Sequence, residues 1–265
     1  MDNRAIERAP SVDVETAPPQ SDFAAYAPFA SPLRANPYAD FDDAEREIYL
    51  KAHLNLCGSV EAIVSLIRAV RYIVENKIPG ALIECGVFMG GNIEVMIRTL
   101  QTLGVADRDI FLYDTFAGVP RPDATDDVGL DDELKRIWDV HRTDADGNAG
   151  SDWMRAGIDV VRRRIEPLGY PPERLHFVKG MVEDTIPTVM PPEIALLRLD
   201  TDFYYSTKHE LVHLYPRLAS GGVLIIDDYG AMPGCRRAVD EYAAEHQLRW
   251  FLTRLDAHVR LLVKP

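Results

Sequence analysis

Around Asp43 the apolar positions begin to recur at helical spacing, first in DDAEREIYLKAH and then in SVEAIVSLIRAVRYIVENKI (59–78). Cys57-Gly58-Ser59 breaks the two runs, with Ser59 placed to cap the second helix, and IPG (78–80) ends it. From there short apolar runs alternate with amphipathic ones. ALIECGV (81–87), DIFLYDT (109–115), RLHFVKG (174–180), IALLRLD (194–200) and VLIIDDY (223–229) read as strands. NIEVMIRTLQTLG (92–104), DWMRAGIDVVRRRIEPLG (152–169), STKHELVHLYPRLASGG (206–222) and PGCRRAVDEYAAEHQ (233–247) read as helices. The tail LRWFLTRL…HVRLLVKP reads as a terminal pair of strands. Strands alternating with helices of this length predict an α/β fold, a doubly wound and mostly parallel sheet.

Two stretches stand outside the pattern. Residues 1–40 are rich in Ala and Pro with no sustained period, as in an arm that is mobile or orders only against a partner or ligand. Residues 41–265 then form one domain that opens with a helical extension over 41–80. Residues 117–151 are long and acidic, with one short helix around DDELKRIWDV. An insertion of that length between a strand and a helix suits a lid or binding loop, and equally a solvated surface loop.

Composition narrows the function. The chain has 265 residues, 29 Lys and Arg against 42 Asp and Glu, and a formal charge of −13, which disfavours a nucleic-acid footprint. No segment approaches the roughly 18 consecutive apolar residues of a membrane span, and the N-terminus has no apolar secretory core. Cys57, Cys85 and Cys235 are too few and too scattered for a disulfide framework or a zinc site, so a cytoplasmic location is expected. The helix over 59–78 has more apolar positions than one face of a monomer needs, which points to a homo-oligomer.

The candidate chemistry lies at the strand ends. ECGVFMGG (84–91) follows an apolar strand and precedes a helix, the crevice position where nucleotides bind in open α/β sheets. Its Gly86-x-x-x-Gly90 spacing is not the dinucleotide fingerprint, and Glu84 would disfavour a pyrophosphate. Asp114 ends the second strand, where a carboxylate can accept both ribose hydroxyls. A nucleoside without a pyrophosphate, S-adenosylmethionine, suits these features. LLRL and GGVLII end in four more acids: Asp200, Asp202, Asp227 and Asp228. Carboxylates gathered at neighbouring strand ends repel one another unless a cation sits among them, and oxygen-only ligands favour a hard ion such as Mg²⁺. Asp200, Asp227 and Asp228 are the natural metal set. Asp202, two residues beyond Asp200, faces the same side if strand geometry persists and is the candidate base. The bland alternative is that one or two of the four cap the following helices.

On ECGVFMGG, YDTFAGVPRPD, VKGMVEDTIP, LRLDTDFYYSTKHELVHLYPRLASGGVLIIDDYG and PGCRRAVDEY, the chain from about 45 to 250 resembles the macrocin O-methyltransferase family, metal-dependent sugar O-methyltransferases of antibiotic biosynthesis. The resemblance implies the class I methyltransferase fold, a Rossmann-like seven-stranded sheet, with S-adenosylmethionine at the glycine loop. It implies that Glu84, Gly86, Val87 and Gly90 line the methionine and ribose, and that Asp114 binds the ribose diol. Asn92, where relatives commonly have Ser, belongs to the same cofactor loop, and Ala117 departs from a common Glu. Gly180, Met181, Glu183 and Asp184 would edge the adenine; Asp200, Asp227 and Asp228 would hold Mg²⁺, and Asp202 would be the general base. The expected acceptor is a rhamnose- or 6-deoxyhexose-type sugar, either TDP-linked or within a natural-product glycoside. Arg121, Lys135, Arg136 and Arg142 are available near the lid for a nucleotide's phosphates. Two other classes share fragments of the sequence. A phosphatase could use the Asp-x-Asp of LRLDTD, and a short-chain dehydrogenase could use Tyr204-x-x-x-Lys208.

Overall fold

A computed structural model describes residue 36 and residues 38–120, 132–143 and 150–265. Most of the expected arm lies outside these residues, as do 121–131 and 144–149 of the expected lid, Arg121 among them. The chain divides into Met1–Asp40, whose described part is a turn, and Phe41–Pro265.

The second unit begins with α1 (Asp43–Ala52). Asp42 caps it reciprocally: its Oδ1 accepts the Glu45 N–H at 2.7 Å and its own N–H donates to Glu45 Oε2 at 3.1 Å. Ser59 caps α2 (Val60–Glu75) by accepting the Ala62 N–H at 3.0 Å. Ile63, Leu66, Ile67, Val70 and Ile73 of α2 are buried inside the subunit. The apolar excess that suggested a second copy is thus consumed by the fold itself.

The remaining elements are β1 (Ala81–Cys85), α3 (Gly91–Thr102), β2 (Ile110–Asp114), α4 (Asp132–His141), β3 (Arg142–Thr143), β4 (Gly150–Ser151), α5 (Ile158–Ile165), β5 (Leu175–Lys179), α6 (Val182–Thr185), β6 (Ile194–Leu199), α7 (Tyr204–Leu214), β7 (Leu218–Ile226), α8 (Pro233–Glu245), β8 (Thr253–Arg254) and β9 (Arg260–Val263). The main sheet runs β5-β2-β1-β6-β7-β9-β8. Its first five strands are parallel, and β9 pairs antiparallel with both β7 and β8. Alternate residues feed two cores. Leu82, Leu112 and Leu196 pack with α2 and α3 on one face, and Ile83, Tyr113 and Leu197 pack with α7 and α8 on the other. Because both faces are covered, β1 and β6 are buried along their whole length. Each fully buried Leu or Ile contributes about 2 kcal/mol.

Two element boundaries differ from the sequence reading. The helix expected to run to Gly222 stops at Leu214, and 218–222 belong to β7. Pro216 cannot continue the helix, and the chain end supplies a strand partner instead. Gly221 N–H donates to Lys264 O at 2.7 Å, and Lys264 N–H to Gly222 O at 2.8 Å. The helix expected from Asp152 begins at Ile158, after Gly157. No helix among the described residues is long and apolar enough to cross a membrane.

Candidate active site

Strand order reverses between β1 and β6, and the chain turns away in opposite directions beyond their carboxyl ends. A crevice opens there, as it must in a doubly wound sheet. It forms a cavity of about 1240 Å³, larger than the roughly 300–1,000 Å³ that holds one small molecule.

Of the residues expected to bind cofactor, Gly86, Val87, Asn92, Asp114, Gly180, Met181 and Glu183 line this cavity. Glu84, Gly90 and Asp184 do not. Glu84 is fully buried behind it, and its Oε1 accepts from Asn92 Nδ2 and Arg198 Nη1, each at 2.9 Å. Its Oε2 is buried with no hydrogen-bond partner. Gly90 holds a left-handed φ of +82° at the start of α3, and an added Cβ would press on Val161 and Ile165 of α5. Gly86 has φ +84°, and a Cβ there would overlap the Asp200 carbonyl. Glycine at 86 is therefore required by the closeness of the two strand ends to each other. Asp114 shapes the loop between β1 and α3: Oδ2 accepts the Val87 and Phe88 N–H groups at 2.7 and 2.9 Å, and Oδ1 accepts Phe116 N–H at 2.6 Å. Burial raises its pKa, and these three amides pull it back.

The other wall is acidic. Asp200, Asp202, Asp227 and Asp228 all line the cavity. One carboxylate oxygen from each of Asp200, Asp227 and Asp228 lies within 4.8 Å of the others. Strand geometry does not persist to Asp202, because β6 ends at Leu199. Asp202 instead sits in a turn at φ +65°, its N–H donating to Asp228 Oδ2 at 3.2 Å. Burial drives the pKa of Asp227 up, and that of Asp228 far up, with Asp202, Asp200 and Asp227 adding repulsion on Asp228. For Glu84, burial pushes the value to about 8 against the pull of Arg198.

Arg198 was overlooked in the sequence reading. Only 4% exposed next to the carboxyl end of β6, it donates to Glu84, to Asp200 at 2.5 Å and to Asp227. Burial works against its charge, but Asp200, Asp227 and Glu84 together hold it protonated. The signal was present in LLRLD, since an arginine inside an apolar strand requires buried acids as partners. Also overlooked were the loops 55–59 and 256–259, which line the cavity beside the acids and are joined by a hydrogen bond from Ser59 Oγ to Asp256.

The donor set fits a hard divalent ion. All three candidate ligands are carboxylates, one oxygen from each converges, and one guanidinium does not neutralise the acids around it. The dehydrogenase pair does not assemble: Tyr204 Oη donates to Glu241 and Lys208 Nζ pairs with Glu245, and neither Tyr204 nor Lys208 lines the cavity.

Sheet order and crevice together make this a class I methyltransferase fold. The solved structure of the O-methyltransferase NovP matches it with a TM-score of 0.67 at 29% identity, over 78% of this chain and 80% of that one. The Macrocin-O-methyltransferase (TylF) family model matches residues 56–262, and the chain belongs to that family. Demethyldecarbamoylnovobiocin O-methyltransferase of Streptomyces niveus is 32% identical over 198 residues, 74% of this chain and 71% of its own length. A second relative, from Streptomyces olivaceus, is 8-demethyl-8-(2,3-dimethoxy-alpha-L-rhamnosyl)-tetracenomycin-C 4'-O-methyltransferase. It is 31% identical over 187 residues, 71% of this chain and 67% of its own. The protein is thus an S-adenosylmethionine-dependent O-methyltransferase, which sets aside the phosphatase reading of LRLDTD.

Proposed function

We propose that the protein methylates a hydroxyl of a deoxysugar, of the rhamnose or 6-deoxyhexose type, within a natural-product glycoside. Asp200, Asp227 and Asp228 hold Mg²⁺, and Asp202 is the general base. The observation that carries this reading is the convergence of three carboxylates within 4.8 Å in the same cavity as the glycine loop. When bound, S-adenosylmethionine supplies the methyl group and Mg²⁺ orients and acidifies the acceptor hydroxyl. The chain's own work is alignment and proton removal. Gly86, Val87, Asn92, Asp114, Gly180, Met181 and Glu183 form the cofactor's wall, with Glu84 and Gly90 supporting it from behind and Asp184 at its exposed edge. Asp202, held in its turn by Asp228, takes the hydroxyl proton. The free thiols of Cys57, Cys85 and Cys235 fit a cytoplasmic enzyme.

The cavity favours a glycoside over a nucleotide-linked sugar. Asp114, Glu183, Asp200, Asp202, Asp227, Asp228 and Asp256 all line it, and among the described residues no Lys or Arg does; Lys135 and Arg136 are outside it. A diphosphate would find no described cationic side chain in the cavity to pair with it. Val119, Pro120, Ile137, Trp153, Met154 and Tyr205 offer instead an apolar surface for an aglycone. That names one acceptor from the two the sequence left open, and the rhamnosyl relative acts on an acceptor of this kind by name.

Calorimetric titration of S-adenosylhomocysteine with and without Mg²⁺, on wild type and Asp228→Ala, tests the two sites. Loss of metal uptake in Asp228→Ala with cofactor affinity kept is the expected result. A methyl-transfer assay comparing TDP-deoxysugars with glycosides tests the acceptor, and turnover of the TDP-sugars alone would overturn the choice.

A further inference from the structure

The turn that carries Asp200 and Asp202 is built on a buried acid that the chemistry above does not use. Glu210 of α7 is 0% exposed, and both its carboxyl oxygens accept from Thr201 Oγ1, at 3.1 and 3.2 Å. Thr201 is the residue between the proposed metal ligand and the proposed base. The Cys85 thiol at the end of β1 also hydrogen-bonds Glu210, so one side chain ties α7 to the ends of both strands that flank the crevice. Ser206, from the same helix, donates to the Thr201 and Phe203 carbonyls at 3.1 and 3.2 Å. These bonds hold a turn that is not relaxed on its own. Asp202 is a non-glycine residue at φ +65°, a strained conformation that persists only where the surroundings enforce it.

Burial, with repulsion from Glu183 and Asp200, raises the pKa of Glu210 well above its ordinary value. It does not line the cavity and touches neither ligand nor acceptor.

We propose that Glu210 is a positioning residue for methyl transfer. Through the Thr201 hydroxyl it fixes the Asp200–Thr201–Asp202 turn in the shape that aims Asp200 at the ion and Asp202 at the acceptor. This rests on the function proposed above and adds to it the element that sets the distance between ligand and base.

The test uses Thr201→Val and Glu210→Leu, singly and together, with Thr201→Ser and Glu210→Gln as conservative partners. Each disruptive variant should lower kcat by at least about 30-fold, with S-adenosylmethionine KM and S-adenosylhomocysteine affinity within about twofold of wild type. The double variant should be no slower than the slower single, because both remove one interaction. Thr201→Ser and Glu210→Gln should stay within about threefold of wild type, since each keeps the hydrogen-bonding group. Amides 201–203 should exchange with deuterium at least about tenfold faster in Thr201→Val than in Thr201→Ser. If Glu210→Leu does not fold, the Thr201 pair decides the matter alone. Wild-type kcat with wild-type exchange in folded Thr201→Val overturns the proposal, as do single effects that multiply in the double variant. Should wild type transfer no methyl group, the function proposed above has failed, and the exchange rates still judge whether Glu210 and Thr201 hold the turn.

Discussion

The two walls of the crevice solve opposite problems. At the ends of β1 and β2, Asp114 spends its carboxylate on three backbone amides, and the loop over 86–91 takes its shape from those bonds. At the ends of β6 and β7, Asp200 and Asp227 share the Arg198 guanidinium, and Asp228 accepts the Asp202 amide. The first wall is complete in itself and offers a fixed shape. In the second, burial and the neighbouring acids drive the carboxyl pKa values upward, and a bound cation would favour the ionised forms. On the function proposed above, shape would recognise the cofactor and the acids would hold the ion and take the proton.

The largest expected effect falls on the charged wall. Asp202→Asn should lower turnover by about 10³-fold, the scale of a lost general base, while calorimetry finds S-adenosylhomocysteine affinity unchanged. Next comes Arg198→Met, which removes the guanidinium that pairs with three acids. It should destabilise the metal-free protein by about 3 kcal/mol in urea titration, and a stability equal to wild type would refute the view of Arg198 as their counter-ion.

The pH dependence of stability is of the same order and has a definite sign. Glu84 titrates at about 8 when folded, against 4.5 unfolded, so between these values the folded state holds the extra proton. Stability is therefore fully present below about pH 4.5 and is lost as pH rises toward 8, by up to about 1.4 kcal/mol per pH unit for one proton. Asp227 and Asp228 act in the same direction. Melting curves from pH 5 to 8 should show Mg²⁺ raising Tm most at the alkaline end; an increment independent of pH would mean that the ion does not bind at these acids. The smallest effect belongs to the wall at β1 and β2. Asp114→Asn should weaken S-adenosylhomocysteine binding by about tenfold, one charge-assisted bond's worth, and leave Mn²⁺ affinity alone. A matching loss of Mn²⁺ binding would show the walls to be one unit.

What the sequence disclosed was local. Apolar runs of five or six residues ended by glycine or aspartate marked β1, β2, β5 and β6, and the acids at their ends were legible because a strand end is a place as well as a pattern. Partnerships across the chain were not. Arg198 meets Glu84 across 114 positions, and Ser59 meets Asp256 across 197, distances over which no periodicity carries information. The true start of β7 was hidden for the same reason, since 218–222 is strand only because the last residues of the chain pair with it. Glu210 looked like any helical glutamate. Its burial depends on Cys85 and Thr201 arriving from β1 and the turn after β6.

At Gly86 the backbone of one strand end comes so close to the Asp200 carbonyl that no side chain fits between. The donor pocket and the ion pocket thereby share a single joint. A substitution at 86 that displaced the neighbouring strand end would disturb both at once. A change of acceptor has more room where no such joint exists, on the apolar surface of Val119, Pro120, Ile137, Trp153 and Met154. On that surface, one lineage can change its acceptor while its chemistry stays the same.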